Sequence, residues 1–227
     1  MQSAEVTNME EYAKGDTYAL TKDYERSRVY YFFKRSMDII FSALGIIFMS
    51  PVMIFTIIAI KLDSKGSAIF SQKRIGKGGQ VFKMYKFRSM VVNAENLLAE
   101  IKNKNEMSGP MFKIKKDPRV TKVGRFIRKT SIDELPQLFN ILKGEMSLVG
   151  PRPNLPSEVA KFDNWQKQKL LVKPGLTCYW QVMGRNDIGF EEWMKLDIKY
   201  IRERNTLLDL KLIFKTFFVL FGDDHAS

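Results

Sequence analysis

Two adjacent carboxylates, Asp133 and Glu134, stand inside a strongly basic part of the chain. Carboxylates among cations can hold Mg²⁺, and a carboxylate can attack a phosphoryl centre. Ser131 and Glu134 also have the spacing of a capping box, which predicts a helix that runs to Lys143 with Gly144 past its end. At a helix start the dipole favours both negative charges, and free N–H groups attract phosphate oxygens. The alternative is that Glu134 only caps the helix and Asp133 only compensates its dipole.

Several basic side chains could converge on a diphosphate near this pair. They are Lys86 and Arg88 near the end of a predicted strand, together with Arg128, Arg152 and Arg185. Arginine suits bidentate contacts with phosphate oxygens. For any one of these residues a solvated surface charge is the simpler interpretation, whereas the whole set beside paired carboxylates favours a phosphate site.

The charge balance indicates an anionic partner. The chain has 227 residues and a net charge of +12. Its first 28 residues hold six acids and four bases, so the rest of the chain carries +14 and this first segment is predicted to be a polar tail. Nucleic acid, an anionic membrane surface and a phosphorylated substrate all fit such a charge.

Cysteine and histidine are too rare for several kinds of site. Cys178 and His225 are the only ones in the chain, which excludes an internal disulfide and a zinc site of cysteine and histidine ligands. His225 lies at a terminus that is expected to be solvated, so Ser-His-Asp and Cys-His catalysis are not favoured. Any metal would be a hard ion bound by oxygen, most simply Mg²⁺.

One segment has the length and composition of a membrane helix. Ile39 to Ile60 is an uncharged run of 22 residues with Ser50-Pro51 at its middle. Basic residues flank both ends, and the positive-inside rule places both flanks in the cytoplasm. We therefore predict a helix that enters the membrane, breaks at Ser50-Pro51 and returns, with the Ser50 hydroxyl bonded near the carbonyl that proline leaves free. The alternative is an ordinary kinked span.

Two further patterns complete the outline of the fold. Alternating residues predict short strands over Ala68 to Arg74 and Val81 to Phe87, with a glycine-rich turn between them. The run from Leu207 to Phe221 places lysines on one helical face and phenylalanines on another. It fits either a helix in the membrane interface or a core helix.

At this point the residues resemble a known family, the monotopic bacterial phosphoglycosyl transferases, also called bacterial sugar transferases. The likeness covers about residues 30–222 in order, and its motifs are specific. The matching stretches are Arg35-Ser36-Met37-Asp38, Ser50-Pro51, Phe70 to Gly76, Tyr85 to Met90, Ser131 to Gln137, Asn140, Gly144, Met146 to Pro153, Lys173 to Thr177 and Gly184-Arg185-Asn186.

The resemblance implies a reaction and roles for particular residues. Such enzymes transfer a sugar-1-phosphate from a UDP-sugar to undecaprenyl phosphate, release UMP, use Mg²⁺ and follow a two-step, ping-pong route. By position, Asp133 would be the nucleophile and would also touch Mg²⁺, while Glu134 would be its partner. The residues that would bind the substrate phosphates are Lys86, Arg88, Arg128, Arg152, Pro153 and Arg185.

The resemblance also implies an architecture and a location. The expected class is α+β: a mostly helical monotopic membrane protein with a re-entrant helix-break-helix, a small β-hairpin and amphipathic interfacial helices. The expected parts are a polar tail of residues 1–28, a re-entrant membrane helix of 29–63, a catalytic domain of 64–222 and a tail of 223–227. The catalytic domain would lie on the cytoplasmic face of the cell membrane.

Other functions and several details stay open at this stage. A membrane-bound polyanion binder or a non-catalytic scaffold would leave the Asp133-Glu134 pair without a purpose, so no nucleic-acid partner is expected. The sequence does not identify the sugar, or whether the product is capsule, exopolysaccharide, O-antigen or a glycoprotein glycan. Oligomeric state, including a homodimer, is also open.

Overall fold

The computed structural model describes residues 25–94, 96–97, 109–110, 114, 117–183 and 188–222. The predicted α+β class, mostly helical and with a long apolar N-terminal helix, is confirmed. Within these residues, 3₁₀ segments over 77–79, 132–134 and 168–171 join the helices and strands. In chain order the helices and strands are α1 (Arg28–Asp63), β1 (Ile69–Ile75), β2 (Val81–Phe87), α2 (Lys122–Lys129), α3 (Gln137–Lys143), β3 (Ser147–Val149), α4 (Pro156–Val159), α5 (Asn164–Lys167), β4 (Gly175–Thr177), α6 (Tyr179–Val182), α7 (Phe190–Glu203) and α8 (Thr206–Gly222).

Helix α1 contacts the folded body at both of its ends. Near its start, Arg35 donates to the carbonyl of Ile141 at 2.8 Å, and Asp38 accepts from the Leu148 N–H at 2.8 Å. Near its end, Met53 and Ile60 pack in a cluster with Ala68, Phe87 and Ile127. Between these contacts most apolar side chains of α1 are exposed. The helix is long and apolar enough to cross a bilayer, yet both ends are held by one body, which agrees with a re-entrant arrangement.

Proline 51 lies inside α1, and helical conformation continues through it. Proline has no N–H to donate to the carbonyl of Ile47, four residues earlier. The Ser50 hydroxyl donates to that carbonyl oxygen at 2.8 Å. The predicted bond at the freed carbonyl is therefore present, and the predicted break is a proline within one helix instead of a gap between two helices.

The predicted hairpin is confirmed. Strands β1 and β2 are antiparallel, with Ile69 opposite Phe87 and Ile75 opposite Val81. The turn between them is a 3₁₀ segment in which Gly78 has φ 66°, a conformation that suits glycine. Lys86 is therefore the penultimate residue of β2.

A short parallel pair, β3 and β4, has no counterpart in the sequence patterns. Val149 lies opposite Thr177, and a Cβ placed on Gly175 would stand 2.0 Å from the Gly150 nitrogen. Two glycines are therefore needed for the backbones to approach this closely. Gly150 directly follows β3, and Arg152 and Pro153 follow it two and three residues later.

The long helix predicted from Ser131 is wrong in its first turn. Ser131 makes no side-chain capping bond and has φ 55°, the left-handed region. Residues 132–134 form a 3₁₀ turn, and α3 begins after Pro136. Pro136 cannot donate to the Ile132 carbonyl, and that carbonyl instead accepts from the Leu135 N–H at 3.1 Å, which is the tighter bond of a 3₁₀ turn. The helix-dipole argument for the carboxylates therefore does not apply, whereas the predicted end at Gly144, with φ 84°, is confirmed.

Helix α8 combines the two alternatives that its sequence left open. Its first turns pack on the body, because Asp209 and Leu212 are each about 1% exposed. Farther along, Phe214, Phe217 and Phe218 are more than half exposed. One helix is thus anchored in the core at its start and presents an aromatic surface beyond it.

Candidate active site

Asp133 lies in a tight turn between α2 and α3. The turn closes through backbone bonds from Glu134 N to Ser131 O and from Leu135 N to Ile132 O, each 3.1 Å long. Ser131, the described non-glycine residue with positive φ, enters this turn in a conformation that costs L-residues energy. Its consequence is a sharp corner that turns the Asp133 carboxylate inward, where the residue is 7% exposed.

Lys86 joins the two carboxylates. Its Nζ lies 2.7 Å from Glu134 Oε1 and 3.8 Å from Asp133 Oδ2. Arg152, from the loop after β3, reaches the same Glu134 oxygen at 3.6 Å and stacks over the Trp180 ring at 5.7 Å. The structure thus brings together residues from the hairpin, the turn and the β3 loop, with positive groups on either side of the carboxylates.

Burial and charge act against each other on Asp133. Burial is the largest influence and raises the pKa of the carboxyl above its usual range, and the neighbouring Glu134 charge raises it further. Lys86, Arg128 and Arg152 lower it. A buried carboxylate with three cations around it is stable as an anion only while those cations are present, so its protonation state depends on them.

Asn140 fixes the position of Lys86. Its amide donates to the Lys83 carbonyl at 2.7 Å, and its Oδ1 accepts from the Tyr85 N–H at 3.0 Å. These are the backbone groups on the free edge of β2, so one buried side chain of α3 docks the strand against the helix that follows the Asp133 turn. No role for Asn140 was predicted, because a lone asparagine in a helix carries no functional pattern.

The other predicted phosphate ligands are placed differently. Arg128 lies in the last turn of α2, and its exposed side chain is near enough to influence Asp133. Arg88 is 9% exposed, and it donates to the carbonyls of Ser64 and Lys65 at 2.8 Å, where it caps the end of α1. Pro153 is buried, and its carbonyl accepts from Arg74 at 3.2 Å. Arg185 lies outside the described residues.

Arg74 is a candidate that the sequence patterns missed. It projects from β1 towards the Arg152-Pro153 loop, where its second terminal nitrogen donates to Gln72 at 2.7 Å. Burial, and then the nearby Arg152 charge, lower its pKa to about 10. The Arg74 side chain is 12% exposed and lies 3.9 Å from Glu158, so one carboxylate already offsets part of the repulsion by Arg152. A substrate phosphate near both arginines would offset more of it.

A buried polar chain supports the Arg152-Pro153 loop from behind. Asn154 accepts from Lys169 at 2.6 Å and donates to Glu158 at 3.0 Å. Lys169 in turn pairs with Asp197 of α7 at 2.7 Å, and both side chains are almost fully buried. The loop is therefore tied to the core by charged groups with partners, which gives it one defined position.

The carboxylates fit Mg²⁺ only in part. Among the described residues no group of three or more His, Cys, Asp or Glu side chains could hold a metal ion. Mg²⁺ is commonly bound by one or two carboxylates, with water and substrate phosphate oxygens completing its shell. Asp133 can supply a carboxylate of that kind, since a cation there would offset the repulsion by Glu134.

Comparison with known proteins gives a family. The family model for bacterial sugar transferases matches residues 29–223. The chain is 50% identical to galactosyl transferase CpsE of Streptococcus agalactiae serotype III (strain NEM316) over 184 residues, which are 81% of this chain and 41% of that protein. It is 43% identical to undecaprenyl-phosphate galactose phosphotransferase of Salmonella typhimurium over 199 residues, 86% of this chain and 42% of that one.

A third relative has a more similar length. The chain is 40% identical to exopolysaccharide production protein ExoY of Sinorhizobium fredii over 187 residues, 81% of this chain and 83% of that protein. The chain thus spans about two fifths of the length of the first two relatives and most of the third. These similarities and the exposed apolar surface of α1 together indicate association with a membrane.

Proposed function

The chain belongs to the bacterial sugar transferase family, and from that premise we propose that it transfers a sugar-1-phosphate from a UDP-sugar to undecaprenyl phosphate and releases UMP. The observation that carries the proposal is the buried Asp133 carboxylate beside Lys86, Glu134 and Arg152. Galactose is the first candidate for the sugar, because the names of two relatives contain it. The product would serve synthesis of a bacterial surface polysaccharide or glycoconjugate.

The proposed reaction has two steps at one phosphorus atom. In the first, an Asp133 oxygen attacks the phosphorus that bears the sugar, the bond to the bridging oxygen breaks, and UMP leaves with that oxygen. In the second, an oxygen of undecaprenyl phosphate attacks the same phosphorus, and the bond to Asp133 breaks. The carboxylate is regenerated, and the product is undecaprenyl diphosphate sugar. Two phosphorylated substrates repel each other, and a covalent intermediate allows them to react in turn.

The cations supply the electrostatic part of the mechanism. Lys86 and Arg152 lie beside the two carboxylates and would stabilise charge that builds on the phosphoryl oxygens, and both lower the pKa of Asp133 against the effect of burial. Glu134 holds Lys86 at 2.7 Å and would orient the acceptor phosphate or take up a proton. Arg88, Arg128, Pro153 and Arg185 remain proposed phosphate-binding residues, and Arg74 joins them.

Magnesium is the proposed cofactor, with Asp133 as its protein ligand. When bound it would neutralise charge on the diphosphate oxygens. The protein itself contributes the fixed carboxylate and the arrangement of lysine and arginine around it.

The proposed location is the cytoplasmic face of the cell membrane, with α1 embedded as a re-entrant helix. Undecaprenyl phosphate is confined to the bilayer, so its phosphate reaches an active site only at headgroup depth. The exposed apolar side of α1 and the exposed phenylalanines of α8 support such a position.

The test is a single-turnover experiment with the detergent-solubilised chain, Mg²⁺ and UDP-sugars labelled in the sugar, without the lipid acceptor. The wild type should release UMP, about one per active site, and retain the label covalently. Undecaprenyl phosphate should then remove the label as lipid. Asp133→Asn should do neither, because an amide is a poor nucleophile.

A matched variant separates the nucleophile from its neighbour. Glu134→Gln keeps the Asp133 oxygen and should still form the labelled protein, more slowly. Labelled protein from Asp133→Asn would remove that residue as nucleophile. Absence of UMP release with every UDP-sugar, with the protein folded, would contradict the proposed reaction.

A further inference from the structure

A cavity of about 230 Å³ lies beside the first three turns of α1, apart from the Asp133 cluster. Tyr30 and Tyr31 from α1, Tyr200 from α7 and the Val172-Lys173 segment form its walls. Pockets that hold a complete drug-sized ligand usually occupy about 300–1,000 Å³, so this one suits a smaller group. It contains none of the residues assigned above to the transfer reaction.

The cavity is strongly cationic. Five basic side chains and one carboxylate line it: Lys34, Arg35, Lys77, Lys173, Arg204 and Asp38. Three of the cations have local partners. Lys34 pairs with Asp209 at 2.9 Å, Arg35 binds carbonyls at the end of α3, and Arg204 donates to the carbonyl of Ile201.

Two cations remain available to a ligand. The side chains of Lys77 and Lys173 make no hydrogen bond or ion pair with any residue in the described part of the chain, and Lys77 only lies over the Tyr31 ring at 5.8 Å. The charged ends of Lys173 and Arg35 both lie near Gly144. A Cβ added to that glycine would be 3.4 Å from Lys173 Nζ and 3.4 Å from Arg35 Nη2. Burial, and then the neighbouring Arg35 charge, lower the pKa of Lys173, while Asp38 acts in the opposite direction.

The position of the cavity favours a lipid as the source of the missing charge. It lies where α1 and α8 join, since Tyr30 and Lys34 both contact Asp209. From this junction α1 exposes Phe32 and Phe33, and α8 exposes Leu207 and Phe214. Basic and tyrosine side chains at the root of two apolar surfaces lie at the depth of lipid headgroups.

We propose that this cavity binds the phosphate group of an anionic lipid, which Lys77 and Lys173 contact and the tyrosines enclose. The bound headgroup would hold the junction of α1 and α8 at the membrane surface. Lys77 and Lys173 could bind any phosphate group. The apolar surfaces on either side of the cavity favour a phosphate that is attached to a lipid.

Native mass spectrometry of the full chain, released from nanodiscs with equal parts of phosphatidylglycerol and phosphatidylcholine, tests this proposal. The wild type should retain phosphatidylglycerol in preference to phosphatidylcholine. Lys77→Gln combined with Lys173→Gln should reduce that preference roughly thirty-fold, the effect of two basic residues at an anionic surface. Lys161→Gln combined with Lys167→Gln, which removes the same charge outside the cavity lining, should leave it unchanged. The Lys77/Lys173 variant should keep the wild-type unfolding midpoint and UMP release.

Three results would overturn the proposal. The first is equal retention of phosphatidylglycerol by the wild type and the Lys77/Lys173 variant. The second is a wild type that retains inorganic phosphate but no phosphatidylglycerol, which would show that the cavity binds free anions. The third is a wild type that retains no phosphatidylglycerol until Glu10→Gln and Glu11→Gln are introduced. In that case the acidic N-terminal segment, and not a lipid, would be the occupant.

Discussion

Replacement of Lys86 by methionine should move the pH dependence of the transfer reaction. In the proposed mechanism Asp133 attacks as a carboxylate, so activity should be present above its pKa and be lost as the pH falls through it. The Lys86 ammonium, 3.8 Å from Asp133 Oδ2, lowers that pKa, while burial and Glu134 raise it. Without the cation the pKa rises, and the acid limb of the pH profile moves to higher pH.

The size of the change follows from the distance. Two unit charges this close interact by about 4 kcal/mol at an effective dielectric constant of about 20. That energy corresponds to an upper limit of about three pH units. Lys86 is 18% exposed, and solvent weakens the interaction, so we expect a displacement of about one to two pH units. At a pH below both acid limbs, kcat/KM of the variant should be lower than that of the wild type by about tenfold for each pH unit of displacement.

The assay is kcat/KM for UMP release across the pH range, beside a matched variant on the same strand. Lys83 is exposed, and Lys83→Met removes the same charge without a described contact to either carboxylate, so its acid limb should coincide with the wild type. An unchanged acid limb in Lys86→Met, with lower activity at every pH, would refute the electrostatic role. Lys86 would then act only in substrate binding.

Two further predictions concern the scaffold. Pro51→Leu restores the missing N–H and should favour a straight helix, so cysteines at positions 28 and 65 should become accessible from opposite sides of the membrane, whereas the Pro51 protein should expose both on one side. Lys169→Met should lower the free energy of unfolding by about 3–5 kcal/mol, because Asp197 would stay buried without its counter-charge. Denaturant titration measures this loss.

Each of these predictions has its own control. For the labelling, Cys178 is replaced by alanine in both proteins, although its thiol is fully buried. Same-side labelling in Pro51→Leu would show that proline does not determine the path of α1. For the buried pair, Lys161→Met at an exposed position should cost less than about 0.5 kcal/mol. An equally small loss in Lys169→Met would mean that Asp197 is neutral or solvated in the folded protein.

The contacts of α1 support the proposal that this helix enters the membrane and returns to the same side. Asp38 and Arg35 fix its first half to the segment from α3 to β3, while its second half packs on the hairpin and α2. Its middle, around Phe48 and Phe55, is left exposed. The proposed active site is connected to both halves of this helix, so insertion in the membrane would also determine the height of Asp133 above the acyl chains.

Local patterns determined much of this protein. The adjacency of Asp133 and Glu134, the single cysteine and histidine, and the apolar run around Pro51 are properties of the sequence itself. The hairpin and the end of α3 at Gly144 follow from alternation and from the conformational freedom of glycine. These features depend on neighbours a few residues apart, and therefore they could be read before any packing was known.

Only the tertiary structure decided which charges meet. Lys86 and Glu134 are 48 residues apart, and their contact depends on the docking of β2 against α3 through Asn140. No local pattern distinguished Arg88, which caps α1, from Arg152, which reaches the carboxylates. Asp133 owes its raised pKa chiefly to burial in the 3₁₀ turn that precedes α3. Electrostatic energies depend on distance in space and on exclusion of water, and neither is a function of separation along the chain.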